Sequence, residues 1–97
     1  MGRPKYVRVD KIFSPWERGL ILETFALAEG NRLEEGVLLE KTHLPAPLAK
    51  YHLDFYVEIG LLERQVAGGR TIYRMQIEKK RVQLLKELVE LWYKRSG

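Results

Sequence analysis

Apolar side chains recur at three- and four-residue spacing through four stretches of the chain, and between the last two of these the period drops toward two. The first stretch places Trp16, Leu20, Ile21, Phe25 and Ala28 on one face. Ser14-Pro15-Trp16-Glu17 ahead of it supplies an N-cap hydroxyl, a proline at the first helical position and a glutamate three residues after the cap, so a helix should start there. Gly30 can take the left-handed conformation that ends it. Asn31-Arg32-Leu33-Glu34 repeats the cap-plus-glutamate pattern and predicts a second, shorter helix to about Thr42, with Leu33, Val37 and Leu38 inward. His43-Leu44-Pro45 reads as a turn, because proline lacks the amide donor and biases its predecessor to extended geometry. A third helix is expected from Ala46 to Glu58 or Ile59, with Pro47 in its first turn, Gly60 as its cap, and Ala49, Leu53, Tyr56 and Val57 buried.

The change of period follows. Leu61 to Val66 and Thr71 to Ile77 are two strand-like runs on either side of Ala67-Gly68-Gly69-Arg70, and a glycine pair in that place signals a hairpin. Tyr73, Met75 and Ile77 share a face of its second strand. From Glu78 the helical period returns. Val82, Leu85, Val89 and Trp92 fall on a heptad seam, with Leu84, Leu88 and Leu91 as a second stripe beside it. So apolar a helix sits in the core of a compact monomer, or packs one stripe on its own domain and the other on a second copy, and the second arrangement is the expectation. Residues 1 to 12 mix basic with β-branched and aromatic side chains, lack a helix start signal, and read as an arm.

Ninety-seven residues suit one domain with one core, and leave no room for a separate substrate domain. With 45% hydrophobic and 31% charged residues the chain should fold. Seventeen Lys and Arg against thirteen Asp and Glu leave a formal charge of +4, which is compatible with phosphate backbones. The absence of cysteine excludes disulfides, thiolate nucleophiles and thiolate metal sites. The start of the chain has no signal-peptide apolar region and no run approaches a membrane span, which reads as cytoplasmic. One Asn, three Gln and abundant Glu, Lys and Arg lean in the direction of thermophile proteins. No paired carboxylate, nucleophile or ligand cluster suggests an enzyme or a cofactor.

The stretches Leu48-Ala49-Lys50-Tyr51-His52-Leu53, Ile59-Gly60-Leu61-Leu62-Glu63-Arg64 and Gly69-Arg70-Thr71-Ile72-Tyr73-Arg74-Met75 resemble winged helix-turn-helix transcriptional regulators of the ArsR and MarR type. The resemblance covers about residues 15 to 78. It implies a mostly helical α+β fold, with a basic arm at 1–13, the winged unit at 14–78 and a C-terminal dimerisation helix at 79–97. It further implies a homodimer on double-stranded DNA, the third helix in the major groove and the wing on the backbone or minor groove. Carried over, Lys50, Tyr51 and Asp54 lie on the exposed face of that helix, Pro47 and Leu48 at its start, and Arg64, Arg70 and Arg74 on the wing. Arg3 and Lys5 of the arm could track a backbone. Val82, Leu85, Val89 and Trp92 are the expected dimer seam. The family's metal-sensing members use Cys or clustered His and carboxylates, which His43 and His52 alone do not supply.

Three features invite a second reading. The helix opening Ala46-Pro47-Leu48-Ala49 offers few base-reading side chains, and Leu48, Tyr51 and Phe55 share a face that could instead dock a protein partner. His52 reads first as a histidine hydrogen-bonded at the core edge, and second as a phosphate contact or pH-sensitive group. The wing arginines favour DNA because no acid lies between Arg64 and Gln76 along the chain.

Overall fold

The computed structural model describes residues 8–96. Eight elements follow in order: α1 (Val9–Phe13), α2 (Trp16–Leu27), β1 (Arg32–Glu34), α3 (Glu35–Thr42), α4 (Ala46–Glu58), β2 (Leu62–Ala67), β3 (Arg70–Met75) and α5 (Lys80–Ser96), with a single 3-10 turn at Glu29–Asn31. The three strands form one antiparallel sheet in the order β1-β3-β2. Leu62 stands opposite Met75 and Ala67 opposite Arg70, while β1 reaches only Ile72 to Arg74. Gly68 and Gly69 both have positive φ, 58° and 77°, as a two-residue hairpin turn with the twist of its strands requires.

The core lies where α2 and α4 meet the inner face of the sheet. Ile21, Leu22, Phe25, Leu38, Leu53, Tyr56, Tyr73 and Met75 are all buried there. Each large apolar side chain so placed contributes about 1.5–3 kcal/mol relative to exposure. The stripe expected on α4 is buried, with Val57 only partly so. On α2, Ile21 and Phe25 are buried and Leu20 and Ala28 partly, but Trp16, placed on the same face, is 67% exposed because it stands in the first turn, beyond the core. Tyr56 does more than fill space: its hydroxyl lies 2.6 Å from the carbonyl oxygens of both Ile12 and Arg18, so one phenol ties α4 to α1 and α2. Burial holds that phenol well above its ordinary pKa, and it stays protonated.

Four local expectations are corrected. Residues 9–13, read as part of an extended arm, form the helix α1 and pack on α2. Pro15 rather than Ser14 is the N-cap of α2, because Pro15 is itself still extended (φ −69°, ψ 175°) and its carbonyl accepts the first helical bond, from the Arg18 amide; the Ser14 carbonyl accepts from the Arg18 guanidinium instead. Asn31 does not start a helix. It is buried with φ 55°, and its amide nitrogen donates to the carbonyls of Phe25 (3.2 Å) and Ala26 (3.0 Å), satisfying the end of α2 instead. That frees Arg32–Glu34 to pair with β3, and α3 starts only at Glu35.

The fourth concerns α5. Val82, named for the dimer seam, is fully buried in the chain's own core, and Leu85 and Val89 are half-buried against it. The stripe turned outward is the neighbouring one: Leu84, Leu88 and Leu91 are each about half exposed, and Trp92 is 70% exposed. Packing against the core takes three members of the heptad seam, with Val82 and Leu85 beside Ile12, Ile59 and Leu61 and Val89 beside Leu22 of α2. Among the described residues no helix is long and apolar enough to cross a membrane.

Candidate nucleic-acid interface

Two prolines and a turn set the start of α4. His43 ends α3 in the left-handed conformation (φ 59°), Leu44 is buried, and Pro45 is the extended N-cap. Gly60 closes the far end at φ 81°, where the carbonyls just past the helix are met from the residue before α5 and from its first turn: Lys79 Nζ donates to Gly60 (3.1 Å) and Arg81 to Ile59 (3.3 Å). The helix is thus fixed at both ends with Ala49, His52, Leu53 and Tyr56 inward, and Pro47, Lys50, Tyr51 and Asp54 exposed.

Beneath it lies a buried polar pair. Arg18 is 8% exposed and His52 2%. Arg18 Nε donates to His52 Nδ1 across 3.0 Å, its Nη1 donates to the carbonyls of Lys11 and Ser14, and its guanidinium stacks 3.6 Å from the centre of the Phe55 ring. Because Nδ1 accepts, the imidazole proton belongs on Nε2. That atom has no hydrogen-bond partner, and Glu17 Oε1 stands off at 3.9 Å. Burial first and Arg18 second hold the His52 pKa below its ordinary value, with Glu17 opposing. His52 is the hydrogen-bonded core histidine that its sequence context favoured. Arg18 had not been singled out, although it stands four and seven residues before Leu22 and Phe25 and therefore on the buried face of α2.

The face expected to dock a protein is broken by the same pair. Phe55 is covered by Arg18 and Leu48 packs partly on the core, which leaves Tyr51 alone, 65% exposed, as the large outward side chain of the three. Lys50, Tyr51, Asp54, Glu58 and Arg64 instead line a cleft of about 530 Å³ together with the buried Arg18 and the Phe55 ring it covers.

The three wing arginines are not equivalent. Arg74 is fully engaged: Nε and Nη2 donate to Glu63 (3.2 and 2.8 Å), Nη1 and Nη2 to Glu78 (3.1 and 3.3 Å), and Nη1 also to the Met75 carbonyl. Its hydrogen bonds to these carboxylates hold its pKa above that of free arginine. Arg64 donates to the Tyr73 hydroxyl (3.1 Å) and contacts Asp54 on α4, tying the wing root to that helix. Arg70, at the turn, has a side chain 71% exposed and, among the described residues, an ion pair with Glu34 of β1 at 3.7 Å. The stretch from Arg64 to Gln76 holds no acid, but Glu63 just ahead of it on β2 stands directly opposite Arg74, while Asp54, Glu34 and Glu78 come from α4, β1 and the loop after β3. Of the wing arginines, then, Arg70 is left open to a phosphate, Arg64 is shared with α4, and Arg74 is turned to its own carboxylates. Arg3 and Lys5 lie outside the described residues. Among the described residues no three His, Asp or Glu side chains group as a metal site.

No protein-family model and no curated protein sequence matches the chain. Solved structures do. HlyU from Vibrio cholerae superposes with a TM-score of 0.73 at 21% identity, covering 88% of this chain and 87% of that one. A structure described as a predicted DNA-binding transcriptional regulator from E. coli gives 0.69 at 25% identity over 86% and 83%. The homodimeric winged helix-turn-helix DNA-binding domain of Mb0332 from Mycobacterium bovis, described as a possible ArsR-family transcriptional regulator, gives 0.68 at 23% over 91% and 77%. With α3-turn-α4 followed by a two-stranded wing and a terminal helix, the chain has the winged helix-turn-helix fold of these regulators.

Proposed function

We propose that the protein is a transcriptional regulator that binds double-stranded DNA as a homodimer, with α4 in the major groove and Arg70 on the backbone or minor groove. The observation that carries this reading is the division of α4: one face is locked into the core through Ala49, His52, Leu53 and Tyr56, while Pro47, Lys50, Tyr51 and Asp54 are exposed beside a projecting wing. The similarity to structures described as DNA-binding regulators supports it. The winged unit carries the nucleic-acid contact, and the outward stripe of α5 carries self-association.

Few side chains on α4 can hydrogen-bond base edges, so phosphate contacts supply most of the affinity and it falls steeply with salt. A mobility-shift titration against mixed-sequence duplex at low and moderate salt is the test. Absence of binding at low salt refutes the reading, as does a dimer whose two α4 helices are far from about 34 Å apart.

A further inference from the structure

We infer that Asp54 sets specificity by holding Lys50 and Arg64 away from phosphates until a base-edge amino group takes its carboxylate. The inference rests on the DNA-binding reading and assigns a role within that interface. Asp54 stands in the middle of the exposed face of α4 and is itself half exposed. Its Oδ1 lies 3.7 Å from Lys50 Nζ, one turn earlier, and contacts Arg64 from the wing. Two cations on the edge of the 530 Å³ cleft thus share one carboxylate.

On a nonspecific duplex the arrangement is unfavourable twice over: the anion repels phosphate, and the cations best placed to bind phosphate are already partnered. In a major groove that offers a cytosine N4 or adenine N6 amino group, the carboxylate has a donor of its own, and Lys50 and Arg64 are released to the backbone together. Arg64 keeps its bond to Tyr73 throughout, so it need only swing its distal nitrogen.

The test compares wild type, Asp54→Asn, Asp54→Ala and the Arg64→Ala/Asp54→Ala double variant on mixed-sequence duplex and on a heparin column, across a salt series. Both single variants should bind mixed duplex about tenfold more tightly at low salt and elute later from heparin. Their slope of log affinity against log salt should steepen by about one to two, and the double variant should lose roughly half of that gain. Thermal melts matched to wild type confirm that the fold is kept. Wild-type binding with unchanged slope and affinity in both single variants overturns the role of Asp54 and leaves the DNA-binding reading standing. Failure of every protein to bind at low salt refutes both.

Discussion

Arg18 of α2 and His52 of α4 share a 3.0 Å hydrogen bond in which the arginine donates and the histidine accepts, although both are nearly excluded from water. A guanidinium buried in this way is tolerated because three acceptors and an aromatic face surround it: His52, two carbonyls and Phe55. Removing Arg18 strips that arrangement from both sides of the helix pair. Arg18→Ala should cost about 2–4 kcal/mol in urea unfolding, since it leaves His52 Nδ1 and two carbonyls unsatisfied and opens space over Phe55.

The same bond sets a pH dependence. His52 has a folded pKa depressed below the ordinary histidine value, so the unfolded chain binds the proton more readily. Stability from this residue is complete above about pH 6.5, where the unfolded histidine is also neutral, and is lost as pH falls toward the depressed folded value. Protonation would also convert Nδ1 from an acceptor into a donor facing Arg18. Melting temperature should therefore drop on acidification below that point, and His52→Gln should flatten the drop. Equal pH slopes for the two proteins would contradict this.

The wing arginines separate binding from stability. Arg70→Ala removes an exposed, loosely paired charge, and should weaken DNA binding while changing stability by less than about 0.5 kcal/mol. Arg74→Ala should do the opposite. It loses bonds to Glu63 and Glu78 at a partly exposed site, a cost of about 1 kcal/mol after screening, and should leave the salt dependence of binding nearly intact. Mobility shifts paired with urea melts on both variants distinguish the roles.

Among the described glycines, Gly60 is the one least able to accept a side chain. Its φ is 81°, and a Cβ there would stand 2.7 Å from Lys79 Nζ and 3.3 Å from Arg81. Gly60→Ala should destabilise by about 1–2 kcal/mol, from left-handed strain plus displacement of the Lys79 that meets its carbonyl. The adjacent Lys79→Met variant in the Gly60→Ala background should recover part of the packing cost, as measured by thermal melts.

The outward stripe of α5 makes a claim about assembly. If a second copy covers Leu84, Leu88 and Leu91, then Leu88→Glu should yield a folded monomer by analytical ultracentrifugation. Val82→Glu should instead unfold the chain, because that side chain belongs to its own core. Identical sedimentation of Leu88→Glu and wild type would exclude this face as the contact.

How much of this was visible in the residues depends on whether the cause was local. The helices α2 and α4, the turn at Pro45 and the Gly68-Gly69 hairpin are written in short-range period and turn chemistry, and stand where that chemistry puts them. Asn31 shows the opposite case. An asparagine satisfies a helix end equally well from either side, and only contact with the Phe25 and Ala26 carbonyls decides which. The three-residue strand β1 exists because β3 has a free edge for it, which no window around Leu33 contains. The wing arginines divide the same way: Asp54 of α4 and Glu34 of β1 are neighbours only in space, whereas Glu63, opposite Arg74 on the hairpin, and Glu78, four residues after it, lie just outside the Arg64–Gln76 window. On α5 both stripes were legible, but choosing the inward one required the shape of the core it packs on.

Because β1 pairs with β3 only from Ile72 to Arg74, the hairpin beyond it is a ribbon two strands wide, clamped at the root by the sheet and by the Arg64 contact to α4. Mechanically this is a cantilever with its hinge line at Ile72. Its tip, with Arg70, can bend through the thickness of a groove wall without disturbing the helix docked beside it. Amide exchange should accordingly grade along the hairpin, fast from Val66 to Thr71 and slow where β1 begins. On the DNA-binding reading proposed above, stiffness at the root would register the protein on a duplex, and compliance at the tip would let one wing follow grooves of different width.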